Sequence, residues 1–345
     1  MRKVNLGIVG CGAITQQRHL PASKSVSNVD ISVVVDKNIR LAEDTSRNYK
    51  VPHFFADYHK IFDLVDGVLI ALPNNLHASV SIDFLRRGIP VLCEKPMATS
   101  SHEAEEMLRT SKKFNAPLAI GLTRRFCRSS KLVKRVLSNN ILGDLHYLDF
   151  EEGTIFGWPT KSGFFFDRKA SGGGVLIDIG VYILDLLLWW LGNDILDFKY
   201  RDDNLGGIEA NCELDLIMNY RNNQVKGRIE LSRTRELRNS LRLFGAEGWL
   251  EFFPFDCENI RLHLSRKEKN YAKYDEFRAS TRRGVLYYFA KQLMDFGLVV
   301  AGEKKPYVSG RLAYEGIKLI EACYKKRENV SMPWITNGLN SNQIE

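Results

Sequence analysis

Residues 10–15 read Gly10-Cys11-Gly12-Ala13-Ile14-Thr15 and directly follow an apolar run, Val4–Val9. Glycines in that order suit a loop that leads a buried strand into a helix and offers backbone amides to a phosphate. Gly10 permits the tight turn. Gly12 leaves room for a pyrophosphate, and the amides at Ala13 and Ile14 open the helix beneath it. Thr15 stands where a third glycine would be, so slightly looser helix–strand packing is expected there. Asp36 ends the next apolar run, Val33-Val34-Val35. A carboxylate at that point accepts hydrogen bonds from ribose hydroxyls and repels a 2′-phosphate, which favours NAD over NADP. Lys37 and Arg40 nearby soften that preference.

A second set of groups lies far downstream. Lys95 comes just after the run Val91–Cys93, and Gly172-Gly173-Gly174 precedes a helical stretch carrying Asp178, Tyr182 and Asp185. Spacings of four and three place these side chains along one helix stripe, with Cβ atoms about 5–6 Å apart. A free phenol titrates near pH 10; an ammonium within about 4–6 Å lowers that by roughly one to three units. A lysine beside Tyr182 would therefore make a general acid/base pair.

These groups need elements to hold them. The first 120 residues alternate short apolar runs (Val4–Val9, Ile31–Val35, Val68–Leu72, Val91–Cys93, Leu118–Ile120) with helical stretches. The runs are nearly continuous, as in strands buried on both faces. Helices are expected over His77–Arg87, ending at Gly88, and from Ser100, where Ser100-Ser101-His102-Glu103 resembles a capping box. This rhythm predicts an α/β fold with a doubly wound parallel sheet. The pattern then changes to strict alternation over Asn211–Tyr220 and Val225–Leu231, with Asn222-Asn223 between, which reads as an antiparallel hairpin. Strands follow near Ser240–Phe244 and Trp249–Phe253, and helices near Val285–Val300 and Arg311–Lys326. The domains are 1–122, 123–335 and a polar, frayed tail, 336–345.

The chain of 345 residues is 44% hydrophobic and 26% charged, enough for two cores. Its net charge of +8 suits an anionic ligand, but the basic residues are dispersed, so no nucleic acid is expected. The six cysteines show neither metal-ligand spacing nor a disulfide framework. Reduced thiols imply a cytoplasmic protein with no metal. The most apolar stretch, Val181–Leu191, contains Asp185 and is too short for a bilayer.

Several segments together resemble the glucose–fructose oxidoreductase, inositol dehydrogenase and rhizopine catabolism family (Gfo/Idh/MocA). They are Gly7–Ile14, Leu72-Pro73-Asn74-Asn75-Leu76-His77, Glu94-Lys95-Pro96, Arg124-Arg125-Phe126, Gly172–Asp185 and Gly245-Ala246-Glu247-Gly248. The resemblance runs in order over nearly the whole chain. It implies an N-terminal Rossmann domain and a C-terminal α/β domain with a large, mainly antiparallel open sheet, with the active site between them. It further implies that Lys95 contacts the substrate hydroxyl; the bond before the matching proline is often cis in the family, which the sequence leaves open for Pro96. The loop Pro73, Asn74, His77 and the Glu94-Lys95 pair touch the cofactor. Arg125 faces the cleft, and Trp158, Lys161, Arg168 and Asp178 shape the substrate pocket. Tyr182 stands where many members have histidine, and Phe165 where many have arginine.

The expected reaction is hydride transfer between nicotinamide and a carbinol or keto carbon of a sugar, cyclitol or nucleotide-linked sugar. Tyr182 moves the proton, Lys95 lowers its pKa and Asp178 orients both. A bare sheet face predicts a homodimer or homotetramer. The alternatives are a non-catalytic NAD-sensing regulator, or an oxidoreductase acting on a dihydrodiol or tetrapyrrole.

Overall fold

The computed structural model describes residues 3–158, 163–204, 207–265, 272–277 and 284–330. Lys161 and the expected tail, 336–345, lie outside the described residues.

Six strands build the first sheet: β1 (Val4–Val9), β2 (Val29–Val35), β3 (His53–Phe55), β4 (Gly67–Ile70), β5 (Val91–Cys93) and β6 (Leu118–Ile120). They pair in parallel in the order β3-β2-β1-β4-β5-β6. The chain reverses direction across the sheet between β1 and β4, where a crevice opens at the strands' carboxyl ends. Five strands coincide with the continuous apolar runs, because both faces are covered and no polar alternation is tolerated. β3 has no such run: it is a three-residue edge strand, and His53 and Phe54 are exposed.

The second sheet holds β7 (Leu145–Gly153), β8 (Ile195–Asp202), β9 (Asn211–Tyr220), β10 (Asn223–Ser232), β11 (Ser240–Gly245), β12 (Gly248–Phe252), β13 (Ile260–Ser265), β14 (Ala272–Phe277) and β15 (Glu328–Asn329). Its order is β14-β13-β12-β11-β7-β10-β9-β8-β15, and only β7–β10 and β8–β15 pair in parallel. The β9–β10 register sets Cys212, Leu214, Leu216 and Met218 against Leu231, Ile229, Gly227 and Val225, the buried face that alternation marked out. Tyr220 pairs with Asn223, so the turn is Arg221-Asn222, one residue earlier than expected. Arg221 takes the left-handed conformation there, φ 56°.

The helix Val285–Val300 packs Phe289, Leu293, Phe296 and Val299 against Leu6, Ile8 and Leu69. A late segment of the chain thus closes one face of the first sheet. The α-helix Val181–Leu191 has the 11-residue bounds expected; with the preceding turns, broken at the left-handed Gly172, the run Arg168–Leu191 reaches 24 residues and passes for a bilayer span by length and composition only. Its most apolar window is 72% buried inside the protein, which makes it the core helix beneath the second sheet.

The cysteine expectation is corrected. Cys127 and Cys257, 130 residues apart, are joined. The β12–β13 loop returns to the start of the helix Arg128–Ser138, a juxtaposition no spacing rule reveals. The other four cysteines are free and buried.

Candidate active site

Gly10 adopts φ +104°, and a Cβ there would lie 2.2 Å from the Ala71 carbonyl oxygen. Only glycine fits. At Gly12 a Cβ would meet nothing within 4 Å, so the space over the helix start is open on that side. Asp36 folds back onto this loop: its carboxylate accepts from the amides of Cys11 (3.0 Å) and Asn38 (2.9 Å). Each oxygen keeps a lone pair for a ribose hydroxyl. Burial, together with Asp36, pushes the Cys11 thiol up to about 12, so it is inert. Thr15 does not loosen the packing: it is fully buried and its hydroxyl donates to Gly10 O at 2.6 Å.

The first helix continues as a π-helical segment, Thr15–His19, and a second one, Leu176–Gly180, carries Asp178. Wide turns of this kind re-aim side chains and concentrate at functional sites. From the first, His19 reaches Glu94 at 2.7 Å in a buried pair. Burial opposes Glu94's charge, yet His19 and Lys95 hold its carboxyl below the usual range. The other Glu94 oxygen accepts from the Lys95 amide at 3.0 Å. This fixes the turn after β5, where the Lys95–Pro96 peptide is cis.

Lys95 Nζ donates to Asp178 Oδ1 at 2.7 Å and to the Asp178 carbonyl at 2.9 Å. Arg233 donates to Asp178 Oδ2. Burial would raise Asp178, but the two cations outweigh it and hold the carboxylate ionised. Tyr182 is half-buried, its ring 5.1 Å from Lys95 Nζ and 4.7 Å from the Arg124 guanidinium. The cations stack on the ring face; neither meets the phenol oxygen. That oxygen makes no hydrogen bond among the described residues and is not a sealed buried atom.

This corrects the expected lysine–tyrosine coupling. Burial pushes the Tyr182 phenol well above 10, and Glu94, Asp178 and Glu152 add to it against the pull of Arg124. Lys95 spends its charge on Asp178, so Tyr182 keeps its proton throughout the neutral range.

Two further residues are placed differently than expected. Arg125 is 2% exposed and forms a bidentate pair with Asp185 (2.8 and 2.6 Å), facing the core rather than the cleft. Burial raises Asp185 despite that pair. The neighbouring Arg124 takes the cleft side and pairs bidentately with Glu152 at 2.6 Å. His77 is 1% exposed, with Nδ1 2.6 Å from Pro96 O and Nε2 2.8 Å from Leu72 O. Burial disfavours the imidazolium, so one ring N–H donates, to Pro96 O or to Leu72 O, and the ring sits wedged between the loops after β4 and β5, where His77 positions the site rather than touching a cofactor.

Pro73 caps the 3₁₀ turn Asn74–Leu76, and Asn74 donates to the Ser171 carbonyl at 2.7 Å, tying the first half to the glycine-rich segment. Arg168 is committed to the Gly207 carbonyl (2.9 Å) and to the Tyr324 ring (4.8 Å). Trp158 lies under the Arg18 guanidinium at 5.6 Å, and Phe165 packs among Phe156 and Phe164. Arg233, His19, Arg18 and Glu209 were not legible as site residues. Glu209 caps the helix run that carries Asp178 and Tyr182, accepting from the amides of Gly174 (2.9 Å) and Leu176 (3.0 Å). Among the described residues no group of three or more His, Cys, Asp or Glu could hold a metal.

A dinucleotide cradle facing a lysine–carboxylate–phenol set at the carboxyl edge of β5 defines a class of two-part, nicotinamide-dependent oxidoreductases. The chain belongs to the GFO/IDH/MocA family: residues 4–122 match the oxidoreductase family with an NAD-binding Rossmann fold, and residues 130–251 match the GFO/IDH/MocA C-terminal domain. It is 27% identical to the rhizopine catabolism protein MocA of Rhizobium meliloti over 299 residues, 82% of this chain and 88% of that protein. It is also 27% identical to D-glucoside 3-dehydrogenase of Escherichia coli (strain K12) over 55% of this chain and only 54% of that enzyme. Among solved structures, levoglucosan dehydrogenase with NADH and levoglucosan superposes with a TM-score of 0.84 at 17% identity, covering 94% of this chain and 97% of that one. Aldose–aldose oxidoreductase from Caulobacter crescentus, complexed with glycerol, gives 0.82 at 23% identity, with 94% and 97% covered.

Proposed function

We propose that this oxidoreductase uses NAD in preference to NADP and interconverts a carbinol and a keto carbon of a sugar, cyclitol or nucleotide-linked sugar. The observation that carries the reading is Lys95 Nζ held by Asp178 over the Tyr182 ring, whose hydroxyl is unpaired among the described residues. The residues fit the cofactor: Gly10 makes the tight turn, Gly12 leaves the approach free and Asp36 offers acceptors for a ribose, while Asn74, Glu94 and Lys95, just past the ends of β4 and β5, are assigned the far end. When bound, nicotinamide would supply or accept the hydride.

The chain itself handles the oxygen and its proton. Lys95 offers its third N–H to the substrate oxygen, and Asp178 keeps the ammonium aimed. Tyr182 holds a proton at neutral pH, so in the reducing direction it donates that proton to the oxygen as the carbon gains hydride. Solvent then restores the phenol. In the oxidising direction the same oxygen must first lose its proton.

The 1–122 and 123–335 division is part of this reading, with the helix Val285–Val300 returning to the first unit. So are a cytoplasmic location and a homodimer or homotetramer formed through the second sheet.

The test is binding of NAD(H) and NADP(H) by calorimetry, with Gly12→Val and Asp36→Ala alongside, followed by turnover on neutral and charged sugars. Tighter NAD(H) binding that Gly12→Val abolishes, with turnover that Lys95→Ala removes, is expected. Full turnover in both Lys95→Ala and Tyr182→Phe would overturn the assignment.

A further inference from the structure

The cleft around Asp178 is rich in hydrogen-bond donors and poor in acceptors. Asp178 serves two cations, Lys95 and Arg233, and Arg124 is spent on Glu152. Arg233 stands just beyond the end of β10 with its side chain 22% exposed, its guanidinium 5.4 Å from the Phe156 ring. Only one of its nitrogens has a side-chain partner; its other N–H groups are neither bonded nor sealed among the described residues. Arg18 approaches from the opposite half, off the π-helical segment that follows the glycine loop. Its guanidinium rests on Trp158, two residues from Phe156, and is in no ion pair among the described residues. Among the described residues its side chain makes one hydrogen bond, to the Gln17 carbonyl at 3.2 Å. Two guanidiniums from the two halves thus converge on one aromatic segment leaving β7, with no carboxylate of their own beyond the one shared with Lys95.

A neutral polyol asks for paired donors and acceptors at each hydroxyl. A site with surplus guanidinium N–H groups instead matches a ligand with several acceptor oxygens and negative charge, because planar, charge-assisted forks suit carboxylates and phosphates. We propose that the substrate carries an anionic group, a carboxylate or a phosphomonoester, which Arg233 and Arg18 hold between the Phe156 and Trp158 rings while Lys95 and Tyr182 take the reacting oxygen. This rests on the reading of the cleft as the substrate site of an oxidoreductase.

The experiment offers a panel of hexoses and cyclitols, each as neutral parent, uronate and phosphomonoester, to the holoenzyme with NAD(H). Arg18→Gln and Arg233→Gln run in parallel, and inorganic phosphate is titrated as a competitor. The expected result is a kcat/KM for one anionic form about 10- to 100-fold above its neutral parent. Arg18→Gln should shrink that ratio chiefly through KM, with NAD(H) affinity unchanged, and inorganic phosphate should compete with the sugar. Which arm wins, uronate or phosphate, identifies the anion. Equal turnover of neutral and anionic forms overturns this inference and leaves the oxidoreductase reading standing. An Arg18→Gln variant that loses NAD(H) affinity but keeps the anion preference also overturns it, assigning Arg18 to the cofactor. Absence of turnover on every sugar, with NAD(H) bound, sinks the sugar reading on which it rests.

Discussion

Tyr182 and Lys95 show how far a residue's chemistry depends on what surrounds it. Four residues after Asp178, and with a lysine expected nearby, the tyrosine reads as an activated phenol. In the structure the lysine stacks on the ring and pairs with the carboxylate, and burial keeps the phenol protonated. The pH dependence follows. Because the phenol stays protonated well beyond pH 10, reduction of a keto substrate should be flat up to pH 11, whereas oxidation, which needs the scarce phenolate, should keep rising with pH over the same range. Initial rates in both directions from pH 6 to 11 check this, and an oxidation optimum near pH 7 would exclude Tyr182 as the proton carrier. Tyr182→Phe should lower kcat by about 10²- to 10⁴-fold with NAD(H) affinity unchanged. The raised pKa also bears on stability. The unfolded phenol ionises near pH 10, so the stability this group contributes is complete below that value and is lost as pH climbs toward the folded pKa.

The elements that aim these groups are locked by buried polar pairs. Arg125 and Asp185 join the 3₁₀ turn Thr123–Phe126 to the helix Val181–Leu191, and both are nearly inaccessible. Breaking such a pair leaves one charge buried without a partner, at a cost of about 3–5 kcal/mol. Asp185→Ala should therefore lower the unfolding free energy by that amount in urea titration. The residue-paired replacement Arg125→Met with Asp185→Leu should recover much of it, because the apolar pair leaves no orphaned charge. Should Asp185→Ala instead keep its stability and lose substrate affinity, Arg125 would belong to the cleft after all. The helix itself was visible as an apolar stretch after three glycines. Its π-helical start was not, since backbone hydrogen-bond geometry follows from packing and leaves no mark on residue spacing.

At the scale of the whole molecule, the outward face of the second sheet carries a row that the strand registers set side by side: Lys199, Asp215, Arg228, Asp149, Arg242, Glu251 and Arg261. Charges alternate along it, and Arg242–Glu251 closes at 2.8 Å. One step along the strands lies a more apolar row containing Ile217, Tyr147, Phe244, Trp249 and His263, with Trp249 and His263 stacked at 5.6 Å. An aromatic stripe beside a charge row suits a self-association surface, the stripe giving area and the charges giving register. Analytical ultracentrifugation should show a dimer or tetramer that Trp249→Glu dissociates; a monomer in the wild type would refute this. Sequence by itself determined what local physics writes into short windows: continuous apolar runs for strands covered on both faces, the glycine loop with its terminal Asp36, the hairpin alternation, and the family. Tertiary structure alone decided what depends on chain segments meeting. It set Arg233 on Asp178, turned Arg125 inward and Arg124 outward, wedged the His77 ring between two loop carbonyls, and joined Cys127 to Cys257. Apart from the His77–Leu72 contact, five positions apart, these pair residues 19 to 130 positions apart. Partner choice at such separations is settled by burial and charge in the folded core, which no periodicity in the chain records.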